Sequence, residues 1–446
     1  MESSRLRVAI VGGGIGGLTM ALAISRCAPD IDVDIYESAS SFGEIGAGIG
    51  MWPRVWETMQ FLGLEEDLKR IIGTPHASGI QYRKSDQSEG IAFGSNMIHL
   101  QTIHRAEFLE ILVDRIPSSY GTHFSKRLTS YVDGDVGPVT MFFKDGSSAT
   151  CDLLIGADGI KSQVRETMYI SMAEIAKKNR DPPENVDRFR DHTKCVWTGQ
   201  LIYRYLIPSE DLERVYPGHP CLKAPAQFHG KNKFIIGYPI SRGKFINVAA
   251  IIFKPEYAGS TFHGSWSTHV PHRELIDQFV DWEPQARCII NLMKRPSRWA
   301  VNCVPSLPAY HFRRVALLGD SAHAMTPHQG SGAGQAAEDA LVMSSLLGRP
   351  EITRQTLHLA LQVYDEIRRP VSQRVQQTSD EAGLLYSFNN VDYQYNPDNH
   401  VTSMDSLKRI HGRILDLFKW TWTTSAFEDR DRAMKILTDR LKSSRV

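Results

Sequence analysis

The first forty residues alternate between short apolar runs and segments rich in glycine or polar side chains. Val8–Val11 is an apolar run that predicts a buried β-strand, and Gly16–Ala28 predicts the helix that follows it. Asp32–Tyr36 predicts a second strand, which ends at Glu37. The chain is therefore predicted to begin with a β-α-β unit.

The mixed pattern of helix and strand continues as far as residue 155. Residues 52–72 place apolar side chains at helical spacing and predict an amphipathic helix. Residues 139–155 predict a hairpin that turns at Asp145-Gly146 and leads into the apolar run Leu153–Ile155.

A different pattern begins near residue 190. Segments 196–207, 233–240 and 245–253 are rich in Val, Ile, Phe and Tyr, which predicts antiparallel strands, and 271–293 predicts helix. A sheet inserted into a nucleotide-binding unit would lie across the carboxyl ends of its parallel strands, where ligands bind.

The first pattern returns after residue 300. Val315–Leu318 predicts a buried strand and Gly334–Leu347 a helix. Residues 355–388 predict a long helix that is broken or kinked at Pro370. We interpret the charged run Asp365–Arg369 as a solvated helix end.

Composition limits the partners and the compartment. The 446 residues include 51 basic and 50 acidic side chains, so no charge excess points to nucleic acid or an anionic membrane surface. The six cysteines are scattered without a CxxC pair, and no run of about 18 apolar residues predicts a membrane span. We expect a cytoplasmic protein with reduced thiols and no metal site, either a monomer or a homodimer.

The glycine turn after the first strand predicts dinucleotide binding. Gly12, Gly14 and Gly17 satisfy the pattern GxGxxG between a strand and a helix, where glycine permits a tight turn and a close approach to a pyrophosphate. The N-terminus of the helix would stabilise the phosphates. Glu37 lies 20 residues after Gly17 and suits hydrogen bonds from ribose hydroxyls. The motif does not distinguish NAD from FAD.

Three further segments bear on the choice of ligand. Asp320 follows a predicted strand and precedes the glycine-rich loop 330–334, Asp158 ends another strand in an Asp-Gly turn, and Arg105 opens a helix. Each feature is common by itself, since Asp320 could be an ordinary N-cap and Arg105 a surface cation. A helix N-terminus after residue 330 would, however, stabilise an anionic reduced flavin.

Taken together, these segments resemble the single-component (group A) flavoprotein aromatic hydroxylases. The stretches that carry the resemblance are VAIVGGGIGGL, FGEIGAGI, HRAEF, DLLIGADGIKSQVR, LLGDSAHAMTPHQGSGAGQAAEDA and YDEIRRPVSQRVQQTS. The C-terminal stretch FKWTWTTSAFEDRDRA is similar to the tail of salicylate hydroxylases. Within the group, the chain looks most like salicylate hydroxylases and the related fungal phenol and 4-hydroxybenzoate hydroxylases.

The resemblance implies an α/β (α+β) fold. We expect a Rossmann-like FAD-binding domain of the para-hydroxybenzoate hydroxylase type, an inserted mixed or antiparallel β-sheet substrate domain, and a helical C-terminal segment. The FAD-binding domain would span 1–185, with small substrate-domain excursions near 75–105, and resume at 301–352. The substrate-domain sheet would occupy 186–300 and the helical region 353–446.

The resemblance also implies which residues contact the cofactor. The aspartate at Asp320 would bind the ribityl chain, the loop that follows would face the isoalloxazine, Arg105 would contact the FAD, and Asp158 would serve both FAD and NAD(P)H. The complete predicted set is Gly12, Gly14, Gly17, Glu37, Gly50, Arg105, Asp158, Asp320, Gly332 and Ala333.

The reaction implied by the resemblance consumes NADH or NADPH and O₂. The reduced flavin adds O₂ to form a C4a-hydroperoxide, and its distal oxygen attacks a small phenolic ring ortho or para to the hydroxyl. If the attacked carbon carries a carboxylate, loss of CO₂ restores aromaticity, as the similarity to salicylate hydroxylase implies. The expected substrate is then a hydroxybenzoate.

Arg204 and Tyr238 are the candidate catalytic residues. Arg204 resembles the substrate-binding arginine of fungal phenol hydroxylases and could pair with a phenolate or carboxylate; pairing with a core acid is the alternative. Tyr238 matches a phenol that orients the substrate in some relatives, although salicylate hydroxylases tend to carry Phe there, and packing alone is the alternative. His323, expected behind Asp320, and His328 are candidates to relay the phenol proton.

Three alternative functions remain open at this point. One is a phenol hydroxylase that does not decarboxylate, or that dearomatises its substrate, in fungal-type secondary metabolism. A second is an FAD oxidase or dehydrogenase, against which the Asp158 segment argues. The third is a non-enzymatic FAD-binding redox sensor, against which the apparent cavity with Arg204 and Tyr238 argues.

Overall fold

The computed structural model describes residues 6–43, 48–72, 79–96, 100–393 and 403–444. Its strands are β1 (Arg7–Val11), β2 (Asp32–Tyr36), β3 (Gly48–Met51), β4 (Ile80–Lys84), β5 (Ile91–Asn96), β6 (Gln101–His104), β7 (Gly121–His123), β8 (Leu128–Val132), β9 (Val139–Phe143), β10 (Ser148–Cys151), β11 (Leu153–Gly156), β12 (Val196–Pro208), β13 (Ala226–Gly230), β14 (Lys233–Ile240), β15 (Phe245–Phe253), β16 (Ser267–His269), β17 (Ser297–Cys303), β18 (His311–Phe312) and β19 (Val315–Leu317). Its α-helices are α1 (Ile15–Cys27), α2 (Pro53–Phe61), α3 (Glu65–Ile72), α4 (Arg105–Arg115), α5 (Gln163–Lys178), α6 (Pro183–Asp191), α7 (Ser209–Val215), α8 (His272–Ile276), α9 (Pro284–Leu292), α10 (Asp320–His323), α11 (Gly332–Leu347), α12 (Leu357–Tyr386), α13 (Met404–Phe418), α14 (Trp420–Thr423) and α15 (Ala426–Ser443).

A six-stranded sheet in the order β18-β19-β11-β1-β2-β7 forms the nucleotide-binding half. Strands β1, β2, β7, β11 and β19 run parallel, and only the edge strand β18 is antiparallel. The register pairs Val11 with both Tyr36 and Gly156, so the carboxyl ends of β1, β2 and β11 are level with one another. Ligands of such sheets bind at this edge.

An eight-stranded mixed sheet in the order β16-β17-β12-β15-β14-β13-β4-β5 forms the other half. Alternate side chains of its strands face opposite sides. Leu201, Tyr203 and Ile235 lie in an apolar cluster with α8 and α9, whereas Ile202 and Phe234 lie in a second cluster with α12 and α13. The face of the sheet that carries Ile202 and Phe234 also lines a cavity that is described below.

The predicted fold class is confirmed, with two corrections to single elements. Residues 52–72 form two helices rather than one, because the chain turns at Gly63, whose φ is +76°. The long helix was predicted to be broken or kinked at Pro370; the break is wrong, since α12 runs through Pro370 and spans 30 residues, whereas the kink stays a prediction. Pro370 has no backbone N–H to donate to the carbonyl of Glu366, four residues earlier in the helix. Both residues are exposed, so water can donate a hydrogen bond to that carbonyl instead.

The run Asp365–Arg369 is not a solvated helix end, and that prediction was wrong. It lies inside α12, and Arg368 is fully buried. The Arg368 guanidinium donates to Asp339 Oδ1 at 2.8 Å and to Glu338 Oε2 at 2.9 Å, both on α11. A helical run of charges does not show which of its members faces a buried acid.

A second arginine completes this buried charge cluster. Arg54 on α2 donates to Glu338 through Nε at 3.0 Å and through Nη2 at 3.1 Å, and it also contacts Asp429 of α15 at 2.5 Å. Burial alone would lower the pKa of Arg368, but Asp339 and Glu338 together raise it above its ordinary value. The cluster therefore joins α2, α11, α12 and α15 through ion pairs.

Neighbouring arginines allow a matched test of the cluster. We expect Arg368→Met to reduce the free energy of unfolding by about 3–5 kcal/mol, because it leaves two buried carboxylates short of a partner. Arg369→Met, which removes a partly exposed pair with Asp365, is expected to cost less than about 1 kcal/mol. Urea unfolding of the two FAD-free variants measures the difference, and equal midpoints would contradict it.

Candidate active site

A groove of about 390 Å³ lies at the carboxyl ends of β1, β2, β11 and β19. Gly12, with φ at +110°, forms its floor, and a Cβ there would approach the backbone oxygen of Ala157 to 2.3 Å. A Cβ on Gly17 would lie 2.0 Å from the backbone oxygen of Gly12. Only glycine fits at either position, which leaves the backbone of the turn open to a ligand.

The N-terminus of α1 faces this groove without a capping side chain. Its N-cap is Gly14, which makes no side-chain cap hydrogen bond. Glu37 lies beside the turn, where Oε2 accepts from the Gly13 backbone N–H and Oε1 from that of Ala39, both at 2.7 Å. Free helix N–H groups and an anchored carboxylate suit a pyrophosphate and a ribose.

The other end of the groove is formed by α10 and the start of α11. Gly319, with φ at +63°, donates its backbone N–H to Asp339 Oδ2 at 3.0 Å, which holds the turn that presents the exposed Asp320. Gly332 begins α11, and a Cβ there would meet nothing within 4 Å. The uncapped start of α11 is thus open to a ligand.

The Asp158 segment lines the groove and also starts α5. The Asp158 carboxylate accepts from Ser162 Oγ at 2.5 Å and from the backbone N–H groups of Gln163 at 2.7 Å and Val164 at 3.1 Å. Burial raises the pKa of Asp158. Arg165 donates to the Ser321 carbonyl at 2.9 Å, so this segment is tied to the Asp320 turn.

A second cavity, of about 290 Å³, lies between the eight-stranded sheet and the loop before α11. Four residues line both it and the groove: Arg105, Asp320, Gly332 and Ala333. Its walls combine polar side chains with apolar ones, and the apolar ones include Ile202, Phe234, Ile236 and Ile251. The groove therefore opens directly into a chamber suited to a small apolar ring.

Arg204 and Tyr238 both face this second cavity. Among the described residues, Arg204 forms no ion pair with a carboxylate, and its guanidinium lies 5.5 Å from the Trp299 ring centroid. Burial lowers the pKa of Arg204, and burial raises that of Tyr238 to about 12. A Cβ on Gly48 would contact the Tyr238 hydroxyl at 2.5 Å, so the glycine makes room for the phenol.

The two histidines lie in different places. His323 is fully buried and its Nε2 lies 2.6 Å from Asp339 Oδ2, beneath the Asp320 turn. His328 lines the second cavity, and its Nε2 lies 2.7 Å from Gln200 Oε1. Burial lowers the pKa of His328 to about 3, so the ring is neutral at physiological pH.

The structure brings most of the predicted residues to one of the two cavities. Those that line the groove are Gly12, Gly14, Glu37, Arg105, Asp158, Asp320, Gly332 and Ala333, and those that line the second cavity include Gly50, Arg204 and Tyr238. Gly17 lies within α1 and supports the turn instead. Sequence reasoning missed the contact between Gln200 and His328, although Gln200, Ile202 and Arg204 alternate along one predicted strand and therefore share a face.

These residues fit FAD, an extended dinucleotide with a planar redox ring. Gly12 and the free start of α1 would hold its pyrophosphate, and Glu37 its ribose. Asp320 and the open position at Gly332 would hold the ribityl chain and the ring, at the rim shared with the second cavity. The fold and the two joined cavities define a flavoprotein with a separate chamber for its substrate.

Comparison with known proteins identifies the family. The FAD binding domain family matches residues 5–188 and 292–379, so the chain belongs to it. An FAD-dependent monooxygenase, str9 of Strobilurus tenacellus, is 32% identical over 98% of this chain and 99% of its own. A salicylate hydroxylase of Pseudomonas putida is 35% identical over 85% of this chain and 86% of its own.

A solved structure agrees with these relatives. The substrate complex of a salicylate hydroxylase superposes with a TM-score of 0.80 at 28% identity, and the match covers 96% of this chain and 98% of the other. The chain is an FAD-dependent aromatic monooxygenase of the salicylate hydroxylase type. Among the helices that the structure describes, none combines the length and the hydropathy of a membrane span.

Gly332 gives a direct test of the cofactor site. We expect Gly332→Ala to weaken FAD binding by roughly 10-fold, because the methyl group would occupy space that the flavin requires. Gly412→Ala in α13 is the matched control, since a Cβ there also meets nothing within 4 Å. Both should keep the melting temperature of the apoprotein or raise it slightly. Titration of the apoproteins with FAD measures affinity, and equal dissociation constants would contradict the assignment.

Proposed function

We propose that the protein hydroxylates a small hydroxybenzoate at the carbon that bears the carboxylate, and releases CO₂. The electrons come from NADH or NADPH and the oxygen from O₂. One oxygen atom enters the ring, the other leaves as water, and the C–CO₂⁻ bond breaks. The observation that carries the proposal is a partly buried Arg204, without a carboxylate partner among the described residues, in a small chamber beside the FAD rim.

The volume and the walls of the chamber support an aromatic substrate. An apolar cavity of roughly 150 Å³ can hold benzene, so about 290 Å³ suits one ring with small substituents. Bound FAD supplies an electrophilic oxygen derived from O₂. The apolar residues Ile202, Ile236 and Ile251 would exclude water from the reacting ring.

Three polar side chains would orient the substrate. Arg204 would pair with the carboxylate through two parallel N–H···O bonds. Tyr238 stays protonated at neutral pH, with a pKa of about 12, and would donate to an oxygen of the same anion. His328 is neutral and would accept a hydrogen bond from the phenolic hydroxyl, which raises the electron density of the ring.

The relatives support the carboxylated substrate. Two salicylate hydroxylases of Pseudomonas putida match this chain at 35% and 33% identity, and each match covers 85% of it. Tyr238 stands where we expected Phe in a salicylate hydroxylase, so the substrate need not be salicylate itself. A hydroxybenzoate with a further polar substituent near the phenol of Tyr238 would suit this difference.

The role of Arg204 is tested by replacing it. We expect Arg204→Met to reduce kcat/KM by about 100-fold or more, chiefly through KM, since two charge-assisted hydrogen bonds contribute roughly 1.5–3 kcal/mol each. Arg298→Met is the control. Arg298 lies opposite Tyr203 in the strand register, so both side chains are on the face of the sheet away from the cavity, and the Arg298 guanidinium donates to Glu274 at 2.9 Å. Both variants should bind FAD normally. Unchanged turnover in Arg204→Met would remove this residue from the substrate site.

Product analysis tests the loss of CO₂. With salicylate and a panel of substituted hydroxybenzoates, we expect one CO₂ released for each NADH or NADPH oxidised in coupled turnover, and a catechol as product. Mass spectrometry and trapped ¹³CO₂ from carboxyl-labelled substrate measure this ratio. A hydroxylated product that keeps its carboxylate would show the non-decarboxylating alternative, and no effect of any phenol on NAD(P)H oxidation would contradict the proposal.

A further inference from the structure

The imidazole of His328 is held in place from several sides. It stacks on Phe253 with ring centroids 5.7 Å apart and meets the edge of Phe234 at 5.5 Å. Gly383 of α12 makes space for it, since a Cβ there would lie 2.3 Å from His328 Cδ2. The Tyr386 hydroxyl donates to the His328 carbonyl at 3.4 Å. The ring therefore has little freedom to turn.

Gln200 supplies the side-chain hydrogen bond to that ring. It is 6% exposed, and its Oε1 lies 2.7 Å from His328 Nε2. The register of β12 shifts between Trp197 and Gln200, beside Gly199 with φ at +72°, and such a bulge redirects a side chain. Trp197 Nε1 donates to the Gln200 carbonyl at 2.9 Å, which fixes the backbone behind the amide.

We propose that Gln200 is a positioning residue that keeps the proton of His328 on Nε2, so that Nδ1 accepts a hydrogen bond from the substrate hydroxyl. Nδ1 has no hydrogen-bond partner within the described part of the chain, and His328 lines the cavity. The bond made by one ring nitrogen decides the protonation of the other. The inference rests on the proposed function, because it assumes a hydroxylated ring in this cavity.

A neutral amide at position 200 leaves Nδ1 of His328 available as an acceptor even at low pH. A carboxylate in the place of Gln200 would raise the pKa of His328, and the acceptor would then be lost as the pH fell through that value. The charged residues that line the same cavity as the ring are Arg105, Arg204 and Asp320. From α12, Tyr386 contacts the carbonyl, and Asp380 binds Thr326 instead.

Two substitutions of Gln200 separate positioning from packing. We expect Gln200→Leu to lower kcat/KM for the hydroxybenzoate by roughly 10- to 100-fold, because the tautomer is no longer fixed. Gln200→Glu keeps an acceptor at the same place and should recover most of this activity at high pH, with an acid limb of kcat/KM shifted to higher pH than in the native enzyme. FAD affinity and melting temperature serve as controls for both.

The outcomes discriminate clearly. A kcat/KM of Gln200→Leu equal to that of the native enzyme would overturn the proposal. It would also be overturned if Gln200→Glu were as defective as Gln200→Leu and its pH profile were unshifted, because the Gln200 amide would then donate a hydrogen bond to His328 rather than accept one. Nitrogen NMR of the ¹⁵N-histidine-labelled holoenzyme, with His328→Asn to identify the signals, reads the tautomer without turnover. A neutral ring protonated on Nε2 is expected, and protonation on Nδ1 would overturn the inference. This result stands apart from the proposed function, which fails if no hydroxybenzoate is turned over.

Discussion

The buried charges on α11 are the constraint on which both cavities depend. Asp339 accepts from Arg368, lies against His323, and accepts the Gly319 backbone N–H that sets the Asp320 turn. Burial opposes its ionisation, yet His323 and Arg368 lower the pKa of Asp339 to about 2. An isolated carboxylate at this depth would be neutral. The cofactor loop is therefore held by a group that stays charged only because distant helices supply its partners.

This arrangement connects the C-terminal helices to the flavin site. Glu338, next to Asp339, binds Arg54 of α2 as well as Arg368 of α12, and Arg54 reaches Asp429 of α15. The first turn of the same helix lines both cavities. Removing one arginine from such a network lowers the free energy of unfolding by more than the net contribution of its ion pair, because the buried carboxylates are left without a partner. The helical tail is thus part of the cofactor-binding framework.

Features of the site that depend on local sequence could be predicted, and those that depend on distant partners could not. The glycine turn at Gly12 needs only a strand, a helix and positive φ, all of which the sequence pattern indicates. Arg204 was predicted from the resemblance to the flavoprotein hydroxylases together with the two-residue period of its strand. Arg368 sits in a run of charges at helical spacing, where only the packing of α11 against α12 selects the buried member. The contact of Gln200 with His328 was missed because it depends on a bulge in β12 and on a partner 128 residues away in the sequence.

The electrostatics of the second cavity favour an anionic ligand. Burying a cation without a counter-ion is unfavourable, and the lowered pKa of Arg204 reflects that desolvation. Tyr238 is a neutral donor and His328 a neutral ring, so neither offers the arginine a negative charge. In the proposed function the substrate carboxylate supplies this negative charge. Part of the binding free energy then comes from giving Arg204 the counter-ion that it lacks in the free enzyme. The same carboxylate is bonded to the ring carbon that is attacked. The group that Arg204 binds is therefore also the group that leaves as CO₂.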